Sequence, residues 1–497
     1  MPTPSWLLAI ETTALVAWMA LAGWMLFRDD ADAQLVPIDP AALSTSAASE
    51  SWMGIYFQGQ KVGYAVSSEA PTADGGRLLR NRSAFKLAAF GEIKEVITVG
   101  NALIDGAGAL SRFDFFMDSS PVQISARGEV RGGQIVLEIT QAGEVQTLTL
   151  DIDAPPQVSA SLSSWISRHQ PLAVGQSFEV PYFDPVSMSQ EPLTVRVVDV
   201  EVLTNGEEAW WLERRFGDIV TRTLMTSGGE VLREEGGLGM SLVRETARVA
   251  QTMPEGVAPV DIISLSAVKL EGSLPDPRRL RVLTMEIQGV PPERVRHEPP
   301  LQTVSGDRVT VNMPMLAEIP RDLPRVETDP ALAEYLGSTV FLAVEHPEIR
   351  TQAEKLVGGI PTRVAAAEKL VDWVYRTLEK RPTIGVPNAL EVLRVGQGDC
   401  NEHTALYVAL ARAAGIPARI AAGVVFSDRI GTKGAFYYHA WPEVYFGPAA
   451  GWVPVDPTFG QMPADATHIK LVEGDLDKQV EIMGVMGRLG FKLVEAR

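Results

Sequence analysis

The sequence predicts an α+β protein in three parts. An apolar N-terminal helix long enough to span a membrane comes first. A large antiparallel β region follows, and then a C-terminal region of helices packed on an antiparallel sheet. Three observations carry this. Ser5–Phe27 is apolar apart from Glu11. Between Trp52 and Arg248, apolar and polar residues alternate in short runs broken by Gly, Asn and Asp, the pattern of half-buried strands. From about Asp329 the period becomes helical, and strand-like runs return after Gly434. The expected divisions are an anchor or signal segment over 1–30, a linker over 31–51, a β-rich domain ending in a Pro-rich linker over 52–325, and a C-terminal domain over 326–497.

Composition bounds the function. A chain of 497 residues exceeds one ordinary core. Its 46% hydrophobic and 21% charged residues are those of a globular protein. With Lys+Arg 44 against Asp+Glu 62, the formal charge is -18. No basic stripe offsets that balance, so nucleic acid is excluded as an expected partner.

The first segment, SWLLAIETTALVAWMALAGWMLF, meets the length of about 20 residues that a spanning helix needs. Trp6 and Trp24 lie near its ends, where interfacial aromatics are favoured. No Lys or Arg precedes the apolar run, which favours an uncleaved anchor over a signal peptide. Ala31–Ala33, reading ADA, keeps cleavage open. The tether after it is rich in small residues and Pro.

In the β region, Asn205–Gly206 between two alternating runs is a hairpin signal. ASLSSWISRHQPL reads as one helix. Punctuation about every ten residues suggests a large antiparallel sheet or a partly open barrel. His169 stands alone and reads as structural. The NRS triplet at Asn81 matches a glycosylation acceptor, a pattern common by chance. From about Val260 to Arg325 the strands continue, interrupted by the Pro-rich joints LPDPRRLR, GVPPERVRHEPP and EIPRDLP, and read as a short β segment and then a crossing linker.

The chemistry concentrates in GQGDCNEHTALYVALARAAGIPAR, which holds Cys400, the only cysteine. A lone cysteine forms no intrachain disulfide; it is a small apolar residue or a reactive group. Asp399 is a good N-cap and Glu402 completes a capping box, so Cys400 opens a helix that Gly415 and Pro417 end. The helix dipole favours a thiolate there, while the two capping carboxylates oppose it. Gly396 and Gly398 let the backbone bend ahead of the thiol. GAFYYHAWPEVYF reads as a strand with His439, Trp441, Glu443 and Tyr445 on one face. After a short turn, WVPVDPTFG reads as a neighbouring strand that ends at Asp456. Nucleophile, base and base-orienting group are then Cys400, His439 and Asp456. Competing readings are an inert Cys400, Asp456 as a turn former before Pro457, His403 as a rival base one helical turn from Cys400, and a metal site of Cys400, His403 and His439. The last has fewer ligands than zinc normally takes, so no metal and no cofactor are expected. Gln397 and the Cys400 N–H are candidate oxyanion donors. Pro442 inside the His439 strand predicts an edge or a bulge.

These three blocks, in this order across roughly residues 345–471, resemble the signature blocks of the transglutaminase-like superfamily, including its bacterial, membrane-tethered members. The resemblance implies a papain-like Cys-His-Asp core, with Cys400 as nucleophile, His439 as base and Asp456 as third member. It also implies that Trp441 and Trp452 line or support the cleft. The expected function is thiol-dependent acyl transfer on peptide or glutamine amides, as a peptidase or amidase or as a transglutaminase. The expected partner is a protein or peptide substrate. The expected location is the cell membrane, with the bulk of the chain extracytoplasmic. The alternative is an envelope binding or assembly protein whose β-rich half recognises a partner and whose Cys-His-Asp core is vestigial or regulatory.

Overall fold

A computed structural model describes residues 49–497 apart from 90, 121–122, 142, 170–171, 185–188, 218, 255–258, 262, 264–266, 384–386 and 430–433. The expected membrane span and nearly all of the tether lie outside the described residues. Among the described residues no helix is long and apolar enough to cross a membrane.

Strand periodicity in the first half builds one antiparallel sheet of fourteen strands. It consists of two up-and-down meanders. Eight strands run from Ser49–Phe57 to Glu144–Asp151, and six from Ser177–Asp184 to Met240–Glu245. The meanders join where Ser49–Phe57 pairs with Met240–Glu245, Trp52 lying opposite Glu245. In Gln134–Gln141, Ile135, Leu137 and Ile139 are buried while Gln134 and Glu138 are exposed, the period-two pattern of a sheet with one covered face. The Asn205–Gly206 signal forms the expected hairpin, with Gly206 at φ +84. The helix Ser159–His169 sets Leu162 and Ile166 against Val180, Val195 and Leu212 of the second meander.

The Pro-rich stretch holds the expected short β segment. Strands Lys269–Glu271, Val282–Gln288, Gln302–Ser305 and Arg308–Asn312 form a five-stranded sheet with Gly490–Ala496 at the far end of the chain. Gln288 lies opposite Gly490 and Leu283 opposite Ala496. The expected β-rich unit over 52–325 therefore splits, and its last part belongs with the C-terminal region. Pairing between such distant segments leaves no local period for a sequence reading to find.

The C-terminal helices Pro347–Val357, Arg363–Thr377 and Ala389–Val395 surround Cys400–Ala413. That helix is buried from Glu402 to Arg412, as its nearly continuous apolar composition demands. Gly415, at φ +78, ends it. The adjoining four-stranded sheet runs Trp452–Pro454, Ala435–Tyr445, Ala418–Ser427, Ile469–Glu473, all antiparallel. Ala418, Ile420, Val444 and Val453 pack with the helices. Ala422, Val424, Phe436 and Leu471 pack with the five-stranded sheet. This four-stranded sheet is thus held from both sides, and every residue of Ala418–Ser427 is buried.

Pro442 lies inside a central strand, with unbroken register opposite Ile420; neither an edge nor a bulge forms. Its carbonyl accepts from the Val455 N–H. The proline nitrogen faces that same side, beyond the three-residue ladder to Trp452–Pro454, so the missing donor breaks no bond of the longer ladder.

Gly423 sits where the register to Ile469–Glu473 shifts. A Cβ there would lie 2.1 Å from the Ile469 carbonyl oxygen. Gly423→Ala is expected to destabilise the chain by about 1–3 kcal/mol through overpacking, measured by denaturant unfolding.

Candidate active site

The loop ahead of Cys400 is built by helix ends. Ala389–Val395 terminates at Gly396, φ +72, in the left-handed region. At Gly398 a Cβ would lie 2.3 Å from the Cβ of Glu402, so only glycine lets the loop close on the helix. Asp399 then caps: its carboxylate accepts from the Asn401 N–H at 2.9 Å, and Glu402 accepts from the Asp399 N–H at 2.9 Å. Thr383 Oγ1 donates to Glu402 at 2.6 Å. The expected capping box is present and puts Cys400 at the first helical position.

Cys400 is half-buried. Burial above all, then the Asp399 carboxylate, raise its thiol well above the ordinary value; the Ala440 N–H opposes them, and Glu402 and Asp456 add to the rise. The positive helix end does not win here. A thiol held protonated in this way needs a base for attack.

His439 neighbours Ala440 on the Ala435–Tyr445 strand. Its Nε2 lies 3.0 Å from Asp456 Oδ2. A carboxylate accepts, so Nε2 carries the hydrogen and Nδ1 keeps the lone pair. Phe459 stacks on the His439 ring at 5.0 Å and 9°, and Trp441 lies 6.2 Å from it. Asp456 is fully buried. Its Oδ1 accepts from the N–H groups of Thr458 at 2.7 Å and Phe459 at 3.0 Å; it forms the turn and orients the base at once. Burial alone would raise its carboxyl, but His439 and His468 hold it well below the usual range.

His468 is the residue that the motif reading missed. It is buried, with Nε2 3.0 Å from the same Asp456 Oδ2 and Nδ1 3.0 Å from the Asp465 carbonyl. Burial opposes its charge, but hydrogen bonds to Asp456 and Asp465 push it up to about 9. It lies twelve residues beyond Asp456, with no motif spacing to betray it.

The other sequence candidates separate. His403 turns Nδ1 to the Asp399 carbonyl at 2.7 Å and, chiefly through burial, falls to about 4. Trp441 is fully buried against the two histidines, 5.1 Å from His468. Trp452 does not line the site. It packs on Tyr335 at 4.6 Å and beneath Arg419 at 4.4 Å. Its cross-strand partner Tyr445 lies six residues from His439, about 20 Å at the rise of a strand. Gln397 precedes the thiol in a two-residue parallel pairing with Glu379.

Among the described residues, two groups cluster as metal ligands do: His439, Asp456 and His468, and Glu298, Glu443 and Glu473. Hydrogen bonds satisfy the first group. In the second, the cations of Arg419 and Lys470 join the carboxylates, at 2.8 Å from Arg419 to Glu473 and 2.9 Å from Lys470 to Glu443.

Residues 350–457 match the family model of the transglutaminase-like superfamily. This part of the chain is similar to a transglutaminase-like core. An uncharacterized protein of Haemophilus influenzae is 29% identical over 162 residues, 28% of this chain and 42% of that one. The chain thus spans less than half the length of that relative. Among solved structures, a candidate cysteine protease from Cytophaga hutchinsonii is 17% identical, covering 44% of this chain and 86% of its own, at a TM-score of 0.29. A β-barrel-like protein from Brucella abortus is 13% identical, covering 40% and 98%, at a TM-score of 0.31. A candidate protease from Parabacteroides distasonis is 13% identical, covering 70% and 69%, at a TM-score of 0.19.

Asp399→Asn keeps an N-cap but removes a charge that raises the thiol. Alkylation of Cys400 at pH 7 is expected to become several-fold faster, read by mass spectrometry. The stability of the fold carries a second signature. A histidine raised to about 9 from an ordinary 6.5 stabilises fully below pH 6.5, and that contribution is lost as pH rises through 9. The melting temperature is expected to fall between pH 7 and 9.5, and to fall less in His468→Gln.

Proposed function

We propose that this chain is a thiol-dependent acyl-transfer enzyme acting on peptide or glutamine amides. The observation that carries this reading is the buried His439–Asp456 pair, 3.0 Å apart, with Ala440, next to His439 on its strand, and Asp456 both among the groups that bear on the Cys400 thiol. In the proposed reaction, His439 Nδ1 takes the thiol proton as Cys400 Sγ attacks the carbonyl carbon. The tetrahedral adduct collapses, the C–N bond breaks, and the His439 proton leaves with the amine. The thioester is resolved by water, giving hydrolysis or deamidation, or by a second amine, giving a cross-link. Asp456 holds the His439 tautomer throughout. Water prevails in an open cleft, and an amine prevails only where it is held and water excluded; base chemistry alone favours the peptidase or amidase outcome. The apolar Ser5–Phe27 segment supports anchoring at a membrane, and on this reading the substrate is a protein or peptide met on its outer face.

A Gln- and Lys-containing peptide mixture with a tagged primary amine tests the reading, with Cys400→Ala as control and products read by mass spectrometry. Cys400-dependent cleavage or a one-dalton deamidation shift supports hydrolysis, and Cys400-dependent amine incorporation supports transfer. His439→Ala is expected to lower the rate by about 10²–10⁴-fold. The absence of any Cys400-dependent product would turn the reading toward the binding role.

A further inference from the structure

We propose that His468 is a positioning residue of this site: a fixed imidazolium, clamped between Asp456 and Asp465, that locks the Asp456 carboxylate and screens its charge from the Cys400–His439 pair. This rests on the acyl-transfer reading for its purpose, though not for its geometry. The charge state follows from hydrogen-bond partners. Nδ1 faces a backbone carbonyl, which only accepts, so Nδ1 carries a hydrogen. Nε2 faces a carboxylate oxygen that His439 Nε2 also approaches at 3.0 Å. That oxygen too accepts, so both imidazoles donate to it. His468 thus carries two ring protons and a positive charge.

The surroundings keep that charge in place. His468 and Asp465 are essentially without exposure. Asp465 Oδ1 lies 3.6 Å from His468 Nδ1, and its own negative charge is met by Arg278 at 2.8 Å. Asp465 Oδ1 also accepts from the Thr467 N–H at 2.9 Å, so the second anchor is itself fixed. The groups facing His468 are Asp465 and Asp456 on the preceding loop and His439 on the strand beyond Ala418–Ser427, its ring centroid 5.9 Å away. The rings of Trp441 and Phe459 close the remaining sides without charge. Through Asp456 the site also feels Lys380, His403 and Cys400.

The purpose lies in the carboxylates near the thiol. Asp399 opposes its ionisation most, and Asp456 adds to that; Glu402 is itself pushed toward the neutral form by burial and by Asp399. Asp399 cannot leave, because it caps the helix. Asp456 must stay ionised to hold His439. An imidazolium bound to the far side of the same carboxylate oxygen offsets the Asp456 charge without displacing His439. It also leaves the carboxylate with two backbone donors on one oxygen and two imidazole donors on the other, so the carboxylate cannot rotate without losing a bond.

Two measurements test this, and neither needs the natural substrate. The first is the pH profile of Cys400 alkylation by iodoacetamide, which is clean because the chain has one cysteine. His468→Gln keeps one amide donor and removes the charge. The midpoint is expected to move up by about one to two pH units, the scale of one charge at this separation in a partly buried site. A structural role alone would change the folded fraction and leave the midpoint in place. An unmoved or lowered midpoint in a folded His468→Gln protein overturns the proposal. The second is ¹⁵N-histidine NMR of the intact chain at pH 7.5. Protons on both ring nitrogens of His468 support the proposal, and a neutral imidazole overturns it, even if His468→Gln does not fold. A doubly protonated His468 with a shifted midpoint, in a chain that yields no Cys400-dependent product, would uphold the clamp and overturn only the reaction.

Discussion

The buried Asp456 carboxylate is the constraint around which the site is arranged. A carboxylate without exposure costs several kcal/mol to desolvate unless every lone pair is met. Here Thr458 and Phe459 meet one oxygen and His439 and His468 the other. Each donor is delivered by a different structural device. The turn after Pro457 supplies the two N–H groups, and the Ala435–Tyr445 strand supplies His439. The residue just ahead of the Ile469–Glu473 strand supplies His468. Those strands flank Ala418–Ser427 on either side, so the distance between the two histidines is set by the sheet itself.

Another charged group lies further along the same strands and does different work. Arg419, Lys470, Glu298, Glu443 and Glu473 join three strands of the sheet to the segment ahead of Gln302. Arg419 and Glu443 are cross-strand partners, and Glu443 shares a face with His439. Gln302 adds hydrogen bonds to the backbone of Lys470 at 2.8 Å in both directions. A partly buried network of ion pairs adds little net stability but fixes register. Register matters here because a one-residue slip would carry His439 to the opposite face.

The site was legible in the sequence wherever chemistry coincides with local pattern. Asp399, Cys400 and Glu402 form a helix start that any capping rule detects, and the structure closes that capping box. The His439 strand alternates visibly, and Asp456 precedes a proline. What was illegible depends on contacts between distant segments. His468 has no partner within its own motif, because its two acceptors are defined by the fold of the Pro457–Thr467 loop. Trp452 looked like an aromatic of the cleft because it adjoins the Asp456 block, but the strand carries it to the other end of the sheet. Pro442 looked disruptive because a sequence does not say which side of a strand its nitrogen will face. The strands of the Pro-rich 269–312 stretch were legible, but their place beside the C-terminal region was not, because their partner, Gly490–Ala496, lies at the other end of the sequence.

The large sheet reaches the thiol through few residues. Phe341 is buried in its core with Phe113 and Phe183, and the Phe341 carbonyl accepts from the Ala389 N–H at 2.9 Å. Asn388 donates to Gln141 of the sheet at 3.2 Å, while its own oxygen caps Ala389–Val395 by accepting from Leu390 at 3.0 Å and Glu391 at 3.2 Å. That helix ends at Gly396, four residues before Cys400. One side chain therefore bonds the sheet and starts the short helix whose other end sets the loop ahead of Cys400. The ion pairs of Arg394 with Glu144 and Glu348 are partly exposed and contribute little. Any influence of the β half on Cys400 must be a difference in free energy carried by contacts that touch both. Among the described residues Asn388 and Phe341 are buried contacts of this kind, and Glu391 of the same helix adds a hydrogen bond with Gln141.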